Sequence, residues 1–582
     1  MNKGTFIIAL ACSFSSIAFA QNIKTIAITD GADVKTLLGS DKDGVDSLVI
    51  NGHIKQADIS IIKNFCQDRK REIGLNLSGS TVEGDSLATD AFQGADVSYF
   101  EFPKQLNKLG SFCFKYSKLR KVSLPLTLKE VSPEAFSLCF NLKEAHIPEG
   151  VELIDSCAFM GCTALEKLYL PSTLRRIGLG AFYSLESLRE LIVPEGVETI
   201  GWRACEDMKK LERVQLPNSL KNMADVVFNG CSNLKEVVLP KNLKTIPYMT
   251  FNGCRELNNV KWSGDLEKIG DYAFDFNDFT DLVLPSTVQE IGDRAFANTG
   301  RVSFNDIETK VLLPDGLRKI GNLAFSYSPK IKEIDIPSTV NAIGYGAFLA
   351  CTSIVKAVLP ATITAIPDKM FASTSLETIN WPDNLTNIGE EAFTNAKLES
   401  IVFPDNLKEI RDMAFQNNDN LIYVMLSKDF ETLGLGAFEG CSRLKIVCAQ
   451  NPVPPTITNG DQINQMQVPF AGISPDAVLY VPVGAKEAYK NSWLISQSFK
   501  DIVETDNFPT GILSVPAVSN NIVGGKGNIT IYANSDELLY SIFSLSGSLY
   551  KKGVVKGNTS VIVPAGTYIV KTTYGKVKVV VK

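Results

Sequence analysis

Along most of the chain, polar and apolar positions return in one fixed phrase. It reads "LYLPSTLRRIGLGAF" at 168–182, "LVLPSTVQEIGDRAF" at 282–296, "IDIPSTVNAIGYGAF" at 334–348 and "INWPDNLTNIGEEAF" at 379–393. In "LEKLYLP" (165–171), Leu165, Leu168 and Leu170 alternate with Lys167 and Tyr169. That period of two predicts a short strand with one inward and one outward face. Pro171 carries no N–H and ends the strand. Ile177-Gly178 then sets a buried aliphatic beside a residue that tolerates a tight corner. Ala181-Phe182 fills the far side, small where backbones approach and large where the interior must be filled.

The phenylalanine closing each phrase marks the period. It falls at Phe92, Phe114, Phe136, Phe159, Phe182, Phe228, Phe251, Phe274 and Phe296, then at Phe325, Phe348, Phe371, Phe393, Phe415 and Phe438, with Cys205 in the one gap. Steps are 22 or 23 residues, except 29 between Phe296 and Phe325. Sixteen units at this period predict a solenoid within the leucine-rich-repeat range. One coil cannot bury its own apolar groups, whereas a stack buries them continuously. The expected fold is therefore a curved, right-handed stack of coils, with a parallel sheet on the concave face and short strands and turns on the convex side. Residues 91–445 hold the repeats, and the atypical flanks 21–90 and 446–504 are the natural caps for the apolar ends. The long step inserts residues near Arg301 to Ile307, read as a neutral loop.

After Phe508-Pro509 the phrase vanishes. "NITIYANSDELLYSIFSLSGSLYKKGVVKGNTSVIVPAGTYIVKTTYGKVKVVVK" alternates apolar and polar residues, with Gly547, Gly557, Gly566 and Gly575 as turns. Residues 511–582 are thus expected to form a small antiparallel β-sandwich. The opening "MNKGTFIIALACSFSSIAFA" has the form of a signal peptide over residues 1–20, with basic Lys3, an apolar stretch from Phe6 to Phe14 and a small-x-small site at Ala18-Phe19-Ala20. Cys12 raises a lipoprotein alternative, but Ala9-Leu10-Ala11 is a poor lipobox. A net charge of −6 gives no general attraction to nucleic acid.

The order strand-Pro, Ile-Gly-x-x-Ala-Phe, then Gly-Cys-x-x-Leu (Gly161-Cys162-Thr163-Ala164-Leu165, Gly230 to Leu234, Gly440 to Leu444) resembles the BspA-like leucine-rich repeat proteins, found largely on bacterial surfaces. "DSLVINGHIKQADISIIKNF" with "GLNLSGSTVEG" (46–84) is similar to the lead-in of Bacteroides-type members, and "NPVPP…LYVPVGAKEAYKNSW" (451–493) to their closing segment. The resemblance covers about residues 23–504 and implies fold more than function. "IFSLSGSLY", "VPAGTYIVK" and "KVKVVVK" resemble type IX secretion sorting domains of Bacteroidetes. That resemblance implies a C-terminal export address; an accessory module is the alternative.

Candidate chemistry is sparse. Only two histidines occur, and His146 takes an outward strand slot, where a solvated surface histidine is expected. Six cysteines (Cys139, Cys162, Cys231, Cys254, Cys351, Cys441) sit three residues after the marker position. A slot reused at the repeat period reads as packing, with cysteine as a small buried hydrophobe. Disulfides 139–162 or 231–254 are conceivable, and stacked thiols are preferred. No C-x-x-C or G-x-S-x-G occurs, and "GGKGN" at 524–528 lacks phosphate-loop spacing. No cofactor, metal or catalytic residue is expected.

The outward strand positions are more informative. The first runs Lys121, Glu144, Lys167, Glu190, Arg213, Glu236, and its alternating sign predicts cross-coil ion pairs. The second includes Tyr169, Ile192, Val238, Val283, Val358, Val402 and Met425, a semi-apolar strip on a face expected to meet water. These seven are the candidate binding residues. The expectation is a non-enzymatic, secreted or cell-surface adhesion or protein-binding solenoid, whose partner is an extracellular or host protein or matrix component. Glycan binding in a carbohydrate-uptake system ranks second, since only Tyr169 and Tyr423 offer aromatic platforms on the strip. An enzyme hidden in a cap or the C-terminal unit ranks last.

Overall fold

The structure is a computed structural model that describes residues 22–301, 308–458 and 468–509, together with 522–524, 528–532, 538–544, 549–555, 558–564, 566–572 and 575–581. The signal-like stretch 1–20, most of the insertion after Arg301, Gly547 and Gly557, and the centre of "GGKGN" lie outside the described residues. Each repeat makes one coil with three walls. Coil 165–187 shows the plan: a three-residue strand Lys167–Tyr169, a turn over Pro171 to Leu174, a two-residue strand Arg176–Ile177, and a wall around Phe182. Leu165, Leu174, Ile177, Ala181, Phe182 and Leu185 are buried and meet one core that runs through all the coils.

The phenylalanine wall is the most regular. The N–H of every marker residue from Phe92 to Phe438 donates to a carbonyl of the following coil at 2.7 to 3.0 Å, Cys205 included. The residues two before and two after the marker take positive φ, as at Glu134 (51°) and Leu138 (59°), and their N–H groups also point to the next coil. Left-handed backbone costs about 1–2 kcal/mol for a non-glycine residue, so each coil accepts that strain in exchange for aligned cross-coil hydrogen bonds. Inside this wall the rings stack face to face: Phe114 on Phe136 at 5.4 Å and 2°, Phe274 on Phe296 at 5.4 Å and 1°. The stack extends to Phe470, 5.2 Å from Phe438, a member hidden from sequence by its displaced spacing.

The cysteine slot has more than a packing use. Cys139, Cys162, Cys254, Cys351 and Cys441 donate S–H to the carbonyl of Phe114, Phe136, Phe228, Phe325 and Phe415, at 3.0 to 3.2 Å, and Cys231 does so to Cys205 at 3.2 Å. In two other coils Asn277 and Asn418 fill the slot, and each donates its amide to the same carbonyl of the coil before, Phe251 and Phe393. In these eight coils the position therefore supplies a small buried donor to a carbonyl of the coil before, whereas Ala95, Leu185, Met208 and Ala396 fill it elsewhere with apolar groups alone. All eleven cysteines of the described residues are free thiols.

The Ile-Gly pair is not a corner. Arg176–Ile177 and its equivalents form a second parallel ladder, and Gly178 donates to the Ile154 carbonyl at 2.7 Å. Gly178 lacks positive φ; instead, a Cβ there would lie 2.7 Å from the backbone of Asp155 and Ser156 in the preceding coil. Close approach, not turning freedom, requires the glycine. Where proline replaces it, at Pro247 and Pro367, that donor is lost and this ladder stops.

At the start, longer strands Ile23–Ile28, Ser47–Ile54 and Ile73–Val82 pair in parallel with each other and with Val97–Glu101, entering the repeat sheet. Helices Val34–Leu38 and Gln56–Phe65 connect them, the second burying Ile59, Ile62 and Phe65. At the other end, Ile446–Ala449, Val478–Val481 and Asp501–Glu504 continue the same sheet. The chain forms two compact units that part between Phe508 and Pro509. Among the described residues the strands of the second unit pair antiparallel. A sheet of Leu538–Ser544, Leu549–Val555, Gly566–Thr572 and Gly575–Val581 shares a core with strands Asn528–Tyr532 and Asn558–Ile562. Ile529, Ile531 and Val561 from one sheet and Tyr540, Ile542 and Val570 from the other form that core, as in a sandwich.

Candidate interaction surface

The outward strip lies on the wall of three-residue strands, and this wall is not continuous. Its strand pairing stops between Lys167–Tyr169 and Glu190–Ile192, Asn259–Lys261 and Asp281–Val283, Lys310–Leu312 and Glu333–Asp335, and Thr378–Ile379 and Ser400–Val402. At the third gap a single bridge, Thr309 to Ile331, remains. At every gap the inward residues of the coil before it are partly uncovered: Leu168 and Leu170, Val260 and Trp262, Leu313, Ile379 and Trp381. Two of these are tryptophans, set edge-on against Phe274 and Phe393 at 5.4 Å, where the other coils place smaller aliphatics or phenylalanine. Their bulk sits where adjacent strands would close.

This interruption sorts the candidate residues. Tyr169, Ile192, Val283 and Val402 are 48 to 52% exposed, and each belongs to a strand bordering a gap. Leu312, 47% exposed, joins them, paired laterally with Val283. Val238, Val358 and Met425 have lateral neighbours and are only half-buried, not free. Met425 also accepts a hydrogen bond on Sδ from Gln450 at 3.0 Å. Lateral pairing on a sheet covers side chains on both flanks; losing one flank exposes them. Tyr423 is no platform, since it is 1% exposed.

His146 is not simply solvated. Its ring stacks on Tyr169 at 4.2 Å and 18°, and its Nε2 bonds to Glu144, which also pairs with Lys121 at 2.8 Å. Lys121 and then His146 hold the Glu144 carboxyl below its ordinary range. The alternating charges pair in part: Arg213 bridges Glu190 at 3.0 Å and Glu236 at 3.7 Å, and Lys356 meets Glu333 at 3.6 Å. Lys261, from the second row, reaches Glu236 at 2.9 Å and keeps that carboxyl low. The apolar gaps are thus edged by salt-bridged charges, the layout of an interface core and rim.

Among the described residues no three of His, Cys, Asp and Glu converge as a metal site. Burial pushes the Cys351 and Cys441 thiols up to about 12, so they stay protonated and poorly nucleophilic. Sequence reasoning found the strip but missed the gaps. Trp262 and Trp381 were the available signals for two of them, while the Ile-Pro pairs 246–247 and 366–367 mark breaks in the other, two-residue ladder. It also missed the aromatic residues on the outer side of the phenylalanine wall, among them Trp202, Tyr248 and Tyr345.

The family model of the BspA type leucine-rich repeat region matches residues 85–212, 198–311, 300–395 and 364–457. No curated protein matches the chain. Among solved structures, a leucine-rich repeat protein from Bacteroides ovatus is 28% identical over 63% of this chain and 82% of its own, with a TM-score of 0.46. A leucine rich repeat protein of T. pallidum is 30% identical over 28% of this chain and 79% of its own, with a TM-score of 0.27. A leucine rich cell surface protein from Faecalibacterium prausnitzii is 21% identical over 62% of this chain and 82% of its own, with a TM-score of 0.30.

Proposed function

The chain belongs to the BspA type leucine-rich repeat family, and from that premise we propose that it is exported and holds a protein partner through the gapped strip of its strand wall. The observation that carries this reading is the coincidence of exposed apolar side chains with the four interruptions of strand pairing. A partner covering Tyr169 and Ile192 would also cover the half-open Leu168 and Leu170 behind them, burying more apolar area than a flat sheet offers. Aromatic anchors such as Tyr169, pre-set by stacking on His146, lose little freedom on binding. The salt-bridged rim contributes orientation more than affinity. The partner class is a host, neighbouring-cell or matrix protein, and the protein is non-enzymatic.

In this proposal residues 1–20 are removed on export, 21–90 and 446–504 cap the solenoid, and the sandwich from about residue 511 is the sorting address or an accessory module. No helix among the described residues is long and apolar enough to cross a membrane. The test is an array of extracellular-matrix and cell-surface proteins probed with the full chain and with a Tyr169→Ala, Ile192→Asp, Val283→Asp variant. Loss of the captured signal, with unchanged thermal unfolding, supports the strip. Capture retained by the variant rejects it. Mass spectrometry of the exported protein reads both termini: a start at Gln21 supports signal removal, and loss of residues beyond 511 marks a sorting address.

A further inference from the structure

A second site stands on a different wall. Pro367 occupies the place where most coils carry the ladder glycine, as Gly344 does, donating to Ile320 at 2.8 Å. The two-residue strands accordingly stop pairing between Ala342–Ile343 and Ala365–Ile366. Along that break lies an open groove of about 410 Å³, lined among others by Tyr345, Ile366, Pro367, Asp368, Asn387 and Arg411. Its size falls within that of small-ligand sites. The Tyr345 ring is 40% exposed and forms an aromatic wall.

The polar lining is only partly committed. Asp368 accepts from the Glu390 N–H through Oδ1 at 2.8 Å, and Arg411 Nη1 lies 3.8 Å from the same oxygen. Among the described residues no hydrogen bond reaches Asp368 Oδ2, Arg411 Nη2 or Asn387 Oδ1, while Glu409 holds the Asn387 amide nitrogen and accepts from Arg411 Nε at 3.3 Å. Asp368 and Glu409 share the single guanidinium of Arg411, so the groove disfavours an anion and its charges are already partly matched, which suits a neutral ligand rich in hydroxyls. It also asks for an apolar face to lie on the ring. A pyranose has both: a face of axial C–H groups and a rim of hydroxyls that suit a carboxylate, a guanidinium and an amide oxygen. The other proline coil is an internal contrast. At Pro247 the preceding coil places Asp225, not a tyrosine, in the position of Tyr345.

We propose that this groove binds one neutral pyranose residue of an extracellular glycan, with its C–H face on Tyr345 and its hydroxyls on Asp368, Arg411 and Asn387. The site is independent of the protein-binding strip. Saturation-transfer NMR on the full chain tests it, with methyl β-D-galactopyranoside, methyl β-D-glucopyranoside and methyl α-D-mannopyranoside at millimolar concentration and a proline-rich peptide beside them. The expected result is transfer to the ring C–H protons of at least one glycoside, weakened about tenfold or more by Tyr345→Ala and kept by Tyr345→Phe. Arg411→Ala, outside the aromatic wall, should weaken it too, and Tyr169→Ala should leave it unchanged. No transfer from any glycoside, equal binding by Tyr345→Ala, or binding of the peptide alone would overturn the proposal.

Discussion

The phenylalanine wall and the strand wall are built from the same coils, yet only one of them is unbroken. Every marker residue from Phe92 to Phe438 hands its N–H to the next coil, even where Cys205 has no ring to stack. The strand wall, by contrast, drops its pairing four times. The difference shows where the order of a solenoid resides. On the phenylalanine side, dry ring stacking and strained left-handed residues commit the backbone to one arrangement. On the strand side no comparable stack commits the backbone, so lateral pairing lapses locally, and at the lapses apolar side chains face water and inward residues such as Leu168 and Trp381 are partly uncovered.

Substitutions can break this contrast. The largest effect is expected at the ring stack: Phe274→Ala should destabilise by about 3–5 kcal/mol through the cavity it leaves between Phe251 and Phe296. Val283→Ala, on the exposed strip, should stay within about 0.5 kcal/mol. Urea unfolding followed by circular dichroism measures both, and equal effects would erase the distinction between the walls. Next comes Gly178→Ala. Its Cβ would press 2.7 Å from backbone atoms of the preceding coil, and the same measurement should show a loss of about 1–3 kcal/mol.

A smaller effect has the opposite sign. Ala350 holds φ of 57° two residues after Phe348, where Gly161, Gly230 and Gly253 stand in other coils. Ala350→Gly gives up only a half-buried methyl and should therefore raise the unfolding midpoint, contributing up to roughly 1 kcal/mol. An unchanged or lower midpoint would mean that the wall does not store strain there. The smallest effect concerns Glu144. Its carboxyl is held below its ordinary value, near 4.5, by Lys121 and then His146. A depressed folded-state value means that the stabilisation is present above pH 4.5 and is lost as pH falls through the lower folded value. Glu144→Gln should flatten this part of the stability–pH curve by under about 1 kcal/mol. An identical curve would show that the pair contributes nothing.

The repeat, its period, the inward Leu165 and Phe182 and the antiparallel character of the last segment were legible because each rests on a local pattern repeated or alternated along the chain. What escaped depends on neighbours in the next coil. Gly178 looks like a turn residue until the backbone of Asp155 is seen beneath it, and Cys162 looks merely apolar until the Phe136 carbonyl is placed 3.1 Å away. The strip itself was visible in Tyr169 and Ile192 as outward apolar residues. That Val238 and Met425 would be half-covered while Val402 would not depends on where pairing stops, and one coil's sequence does not encode that. Phe470 was lost because the step from Phe438 is 32 residues, outside the period that identified the others.

Residue-resolved hydrogen exchange on the full chain tests the contrast between the walls most directly, at the gap after Tyr169. Phe182 donates to Ala204 at 2.8 Å in the unbroken wall, whereas Leu170 and Glu190 flank the interruption. The Phe182 amide is expected to exchange about a hundredfold or more slowly than those of Leu170 and Glu190. Comparable protection at all three positions would show the strand wall to be as continuous as the phenylalanine wall, and would contradict the account.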